Sequence, residues 1–137
     1  MAVLEFTGYR VNNMKYIRNK NFNKKTESIK MSPEISSNFN VKDDNKIIVS
    51  LAVTVGSTEQ NSVPFQAECS VSGTFIYKVE EDETKVGLDE LIRNNAVAIL
   101  YPYVRMIISN LTMNSNEYPN YNLPTINVGK LLQGQNK

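Results

Sequence analysis

The side chains that usually perform enzymatic chemistry are scarce in this chain. Histidine is absent and Cys69 is the one cysteine. Neither a Ser-His-Asp nor a Cys-His arrangement can be assembled, and no Cys/His zinc site can form within one chain. The obvious acids, Glu80 to Glu83, stand in a single run that reads as a solvated loop. Nothing asks for catalysis, a metal or a cofactor. Two binding chemistries remain. From Arg10 to Lys30 there are seven basic residues and one acid, Glu27, with Tyr16 and Phe22 among them. Such a face could hold a nucleic-acid backbone and stack on bases, although lysines guarding a solvated strand edge give the same composition. From Phe65 to Val71 every second residue (Phe65, Ala67, Cys69, Val71) is apolar, a surface that serves either as core or as a groove for apolar side chains.

These residues need elements to carry them. The run Lys46 to Gly56 alternates cleanly, with Ile47, Val49, Leu51, Val53 and Val55 on one side, which predicts a half-buried strand. Pro64 opens a longer run, Phe65 to Val79, that is apolar on one face throughout, and Ala67, Cys69 and Gly73 leave room for something to lie close against it. Val3 to Asn19 alternates with a slip near Gly8, as a bulged strand would. Ser28 to Val41 reads as an irregular strand with Pro33 barred from a central position, and Asp43-Asp44-Asn45 as the turn that follows it.

Gly87 to Asn114 has the period of a helix. One apolar line contains Leu88, Leu91, Ile92, Ala96, Ile99, Tyr103, Met106 or Ile107, and Leu111. A second contains Val97, Leu100, Val104, Ile108 and Leu111. Two lines cover most of the circumference, so the helix should be covered on both sides, the second time by another copy of the chain. Leu100, Tyr101, Val104, Ile108 and Leu111 are the expected interface. Pro102 should kink the helix, and Asn127 can cap a short last helix from Val128 to about Leu132.

The whole is a single α+β domain, residues 1–137: four antiparallel strands, a long kinked helix and a short C-terminal helix. With 15 Lys and Arg against 14 Asp and Glu there is no strong net field. No run of about 18 apolar residues offers a membrane span, and a single thiol fits a reducing compartment. The expectation is a soluble, cytoplasmic protein.

The stretch Ala98-Ile-Leu-Tyr-Pro-Tyr-Val-Arg105, then Ile107-Ile-Ser-Asn-Leu111, then Tyr118-Pro-Asn-Tyr-Asn-Leu-Pro-Thr-Ile-Asn-Val128, resembles the SecB-type protein-export chaperones. Phe65-Gln-Ala-Glu-Cys-Ser-Val71 also resembles that family's fourth strand. The resemblance implies a tetramer, a dimer of dimers with the long helices at its centre. It implies binding of unfolded client polypeptides without ATP, in apolar grooves between the sheet and the elements after the long helix. The matching residues are Phe65, Ala67, Cys69 and Val71 on the strand, with Tyr118, Tyr121, Leu123, Val128 and Leu131 on the cover. In that family, acids on the first strand are associated with docking on the translocase ATPase, whereas the corresponding positions here hold Lys15 and Asn19. A related role, guarding an antitoxin in a toxin–antitoxin system, would keep the groove without those acids.

Overall fold

The computed structural model describes residues 4–23, 31–42, 45–78, 95–117 and 119–124. Four strands, β1 (Leu4–Arg18), β2 (Glu34–Val41), β3 (Lys46–Gly56) and β4 (Phe65–Tyr77), precede one helix, α1 (Val97–Met113). The strands form one antiparallel sheet in the order β1-β4-β3-β2. The first strand therefore pairs with the last, and β1 and β2 are the edges.

Strict alternation in β3 and β4 separates the faces. Ile47, Val49, Leu51, Val53 and Val55, with Phe65, Ala67, Cys69, Val71 and Phe75, point to one side and are buried. The opposite side is polar: Ser50 and Ser72 share a hydrogen bond at 2.9 Å, and Asn12 donates to Ser72 at 2.8 Å. β1 carries two register shifts, one between Phe6 and Gly8 as its sequence suggests and one between Val11 and Asn13. β2 begins immediately after Pro33. Asn45, with φ of 62°, turns the chain into β3, in keeping with the tolerance of Asn for that region.

α1 crosses the apolar side of the sheet, chiefly over β4 and β3. Gly73 lets it come close. A Cβ at that position would stand 2.7 Å from Leu100 Cδ2 and 3.0 Å from Phe75 Cε1. Pro102 lies inside the helix with its ring exposed, so the missing N–H falls on the solvent side, where the Ala98 carbonyl can be hydrated. The helix ends at Asn114, whose N–H bonds the Asn110 carbonyl at 3.0 Å. The short C-terminal helix, Asp43, Asp44 and the first turns of the long helix lie outside the described residues.

Candidate functional site

The residues Tyr101-Pro102-Tyr103-Val104-Arg105 divide their work between the two flanks of α1. On the flank toward β1, Tyr103 stacks on Tyr9 with ring centroids 4.1 Å apart, and Phe6 lies 6.2 Å from it. On the other flank, Tyr101 and Arg105 hold the segment 119–124. The Tyr101 hydroxyl donates to the Pro124 carbonyl at 2.6 Å, and Arg105 Nε donates to the Leu123 carbonyl at 3.0 Å. Further along, the buried Thr112 hydroxyl faces the carbonyls of Ile108 and Ser109 (3.0 and 3.1 Å) and accepts the Tyr121 N–H at 2.7 Å. Asn120 donates to Ser109 Oγ at 2.9 Å. Tyr101, Arg105, Ser109 and Thr112 recur at spacings of four, four and three, a polar stripe along one flank of an otherwise apolar helix. That stripe is the signal in the sequence for this strap, and sequence reasoning left it unused.

The strap places Leu123 in the core with 1% of its surface exposed. Tyr121 is half-buried, and its hydroxyl reaches the Met31 carbonyl at 3.0 Å. Burial pushes both the Tyr101 and Tyr121 phenols up from their ordinary value, with the Arg105 charge pulling Tyr101 partly back. Phe65, Ala67, Cys69 and Val71 are buried in the same core, so in this conformation the expected groove residues of β4 are covered rather than open. The small residues Ala67, Cys69 and Gly73 do admit a close neighbour, and at Gly73 it is Leu100 of the same chain. Tyr118, Val128 and Leu131 lie outside the described residues.

The expected subunit-interface residues lie largely inside the single chain. Leu100, Tyr101, Val104 and Ile108 are buried within the single chain, and Leu111 packs half-buried against the same core. None of the first four has surface left for another copy. The reason is width: a four-stranded sheet on one side and the strap on the other cover the line of Val97, Leu100, Val104 and Ile108. The apolar surface that remains is elsewhere. Tyr9, Val11 and Met14 sit opposite Gly73, Val71 and Cys69 on the helix side of the sheet, at the β1 edge. Met14 is 60% exposed, and on α1 Met106 and Met113 are 49% and 56% exposed.

Residues 13–137 match the family described as Preprotein translocase subunit SecB. The chain belongs to the SecB family. An uncharacterised protein of Methanocaldococcus jannaschii is 33% identical over 134 residues that make up 96% of this chain and 83% of the relative. Among solved structures, the fold is similar to a SecB-like chaperone of Mycobacterium tuberculosis in complex with a ChAD peptide from the HigA1 antitoxin. The TM-score is 0.71 over 90% of both chains at 15% identity. A Streptococcus agalactiae protein of unknown function also matches, with a TM-score of 0.51 over 89% of this chain and 97% of its own at 16% identity.

The first-strand positions take on meaning in this SecB fold. Asn19 is no docking residue: it is 4% exposed. Its Nδ2 donates to the carbonyls of Gln60 and Val63 at 2.7 and 2.8 Å, and its Oδ1 accepts the Asn21 N–H at 3.1 Å. It fastens the end of β1 to the loop between β3 and β4. Lys15 is exposed and lies 4.0 Å from Glu68 across the sheet. Arg18 pairs with Glu117 at 2.7 Å, tying β1 to the turn after α1. The basic stretch is thus partly neutralised and split between the two sides of the sheet. Among the described residues no group of His, Cys, Asp and Glu could hold a metal ion, and no helix is long and apolar enough to cross a membrane.

Proposed function

We propose that this SecB-family chain is an ATP-independent holdase that keeps client polypeptides unfolded and soluble, working as an oligomer in the cytoplasm. The observation that carries this reading is the family match over residues 13–137, and the exposed apolar side chains Val11 and Met14 on β1 and Met106 and Met113 on α1 support it. An apolar side chain moved from water onto such surface gains about 25 cal/mol per Å². Several weak contacts on one oligomer add through avidity. These exposed side chains are also the surface offered for self-association, in place of Leu100, Tyr101, Val104 and Ile108. Aggregation of a refolding model protein should be suppressed at near-stoichiometric amounts. Failure to suppress it, with light scattering showing an intact oligomer, would overturn the holdase and leave an adaptor that keeps the fold.

A second reading is a chaperone dedicated to one antitoxin. It is favoured by the fold shared with the Mycobacterium tuberculosis protein carrying an antitoxin peptide and by the missing acid at Lys15. Narrow client choice, tested by comparing one cognate antitoxin with several unrelated unfolded chains, separates it from the first. Delivery to a translocase finds less support, because Asn19 is buried and Lys15 is basic. Nucleic-acid binding finds less still, because Lys15 and Arg18 face carboxylates.

A further inference from the structure

Apart from the side-chain pair Asn120–Ser109, the bonds that hold segment 119–124 on α1 have a common property. Thr112, Arg105 and Tyr101 engage the Tyr121 N–H, the Leu123 carbonyl and the Pro124 carbonyl, all of them main-chain groups. Leu123 is fully buried in the core beneath them, and the Tyr121 ring packs half-buried at its edge. None of the three bonds depends on the identity of the residue held, and the apolar seat asks only for an aliphatic side chain. An extended polypeptide of almost any sequence could therefore make the same contacts. Main-chain recognition with pockets for selected side chains is how folded proteins bind extended peptides without a strict code.

We propose that the flank of α1 bearing Tyr101, Arg105 and Thr112 is a main-chain-reading site for extended client segments, occupied in this conformation by the chain's own residues 119–124 as a built-in mock client. This rests on the holdase reading and deepens it by naming the site and the ligand class: an extended, unfolded stretch with a Leu or similar aliphatic residue at the seat of Leu123. Binding requires the strap to leave. Displacement uncovers the seat of Leu123 and frees the three α1 groups together. The strap also protects the site from self-aggregation, because it covers the apolar seat whenever it is on. Observed client affinity is then the intrinsic affinity scaled by the fraction of molecules with the strap off.

The test uses the full chain and reduced, carboxymethylated lactalbumin, which stays unfolded. Ser109 and Asn120 meet side chain to side chain at 2.9 Å, so S109C/N120C, bridged by a disulfide or a short bis-thiol linker, locks the strap. The buried Cys69 stays out of reach of the reagent. The bridged form should bind lactalbumin at least about ten-fold more weakly than the unbridged form of the same variant, a comparison free of folding differences. Leu123→Ala, which weakens only the strap, should raise affinity by roughly ten-fold. In that background Tyr101→Phe and Arg105→Gln should each lower it by about five-fold, since each removes a bond to the client. Lactalbumin binding by the wild type that is unchanged in the bridged form would leave the holdase standing and overturn the main-chain site. No binding by the wild type or any variant would overturn both.

Discussion

Arg105 Nε stands 3.0 Å from the Leu123 carbonyl, a planar charged donor spent on a neutral main-chain oxygen. The geometry explains why arginine is used. Nε projects sideways from a stem lying along the helix flank, whereas a lysine ammonium at the stem's end would overshoot. Replacing Arg105 by Lys should therefore lower stability by about 1 to 1.5 kcal/mol, the worth of a hydrogen bond to a charged group that is left half made. Thermal denaturation checks this. No loss with Lys would mean that charge rather than geometry holds the segment.

Asn19 offers a sharper contrast. Its Nδ2 faces the carbonyls of Gln60 and Val63, so Asn19→Asp would put a carboxylate oxygen against two carbonyl oxygens in a buried site. The expected loss is about 3 kcal/mol or more. Asn19→Ala, which leaves the carbonyls and the Asn21 N–H unpaired without adding a charge, should cost about 2 kcal/mol. Urea unfolding distinguishes them, and equal stability of the Asp variant and the wild type would refute the fastening role.

Two glycines differ in why they are needed. Gly56 has φ of +80°, and a Cβ there would lie 2.0 Å from the Phe65 carbonyl oxygen, a clash with backbone that no rotamer relieves. At Gly73 the clash is with the tip of Leu100. Gly73→Ala should cost about 1 to 3 kcal/mol by overpacking, and Leu100→Ala should relieve part of it in a double-mutant cycle. Gly56→Ala should cost more, with no single compensating change.

The Tyr16 hydroxyl is buried and has no hydrogen-bond partner among the described residues, while its ring lies 5.3 Å from that of Phe65. Tyr16→Phe keeps the ring contact and deletes the unpaired group, so stability should hold or rise by about 1 kcal/mol. A loss of that size in thermal denaturation would mean the hydroxyl has a partner in solution.

Burial raises the Cys69 thiol from its ordinary 9.0 to about 12, and raises the phenols of Tyr101 and Tyr121 above their ordinary 10.0. Above pH 9 the unfolded chain loses the thiol proton while the folded chain keeps it. The unfolded state then binds fewer protons, and stability falls as pH rises. Below pH 9 these groups contribute their full stabilisation, and it is lost progressively toward pH 12, more steeply once the phenols join above 10. Melting temperature against pH should show this decline, and Cys69→Ala should flatten the part between pH 9 and 10.

Much of the architecture was legible because alternation is a strong signal. The inward residues of β3 and β4, and Val97, Leu100, Val104 and Ile108 on α1, stand buried where period two and period three-to-four put them. What covers the helix residues was not legible. Leu100, Val104 and Ile108 would look the same facing a neighbour or facing their own sheet, and only the sheet's width and the position of Leu123 decide. The second register shift fell among Val11, Asn12 and Asn13, where polar residues erase the alternation that would reveal it. Asn19 looked like a surface position because asparagine usually is one, and its buried role depends on carbonyls some forty residues away.

The pairing of β1 with β4 has a consequence for the order in which the protein can be made. Thr7 and Thr74, which meet across that pair, are 67 residues apart in sequence. β2, β3 and β4 follow one another as neighbours and can zip together as they leave the ribosome. β1 emerges first yet has no strand to join until β4 is complete, and long-range pairing of that kind is slow and exposed to aggregation. Until β4 is made, then, β1 is a waiting strand with Leu4, buried in the folded chain, still uncovered: a nascent segment of the kind a chaperone guards.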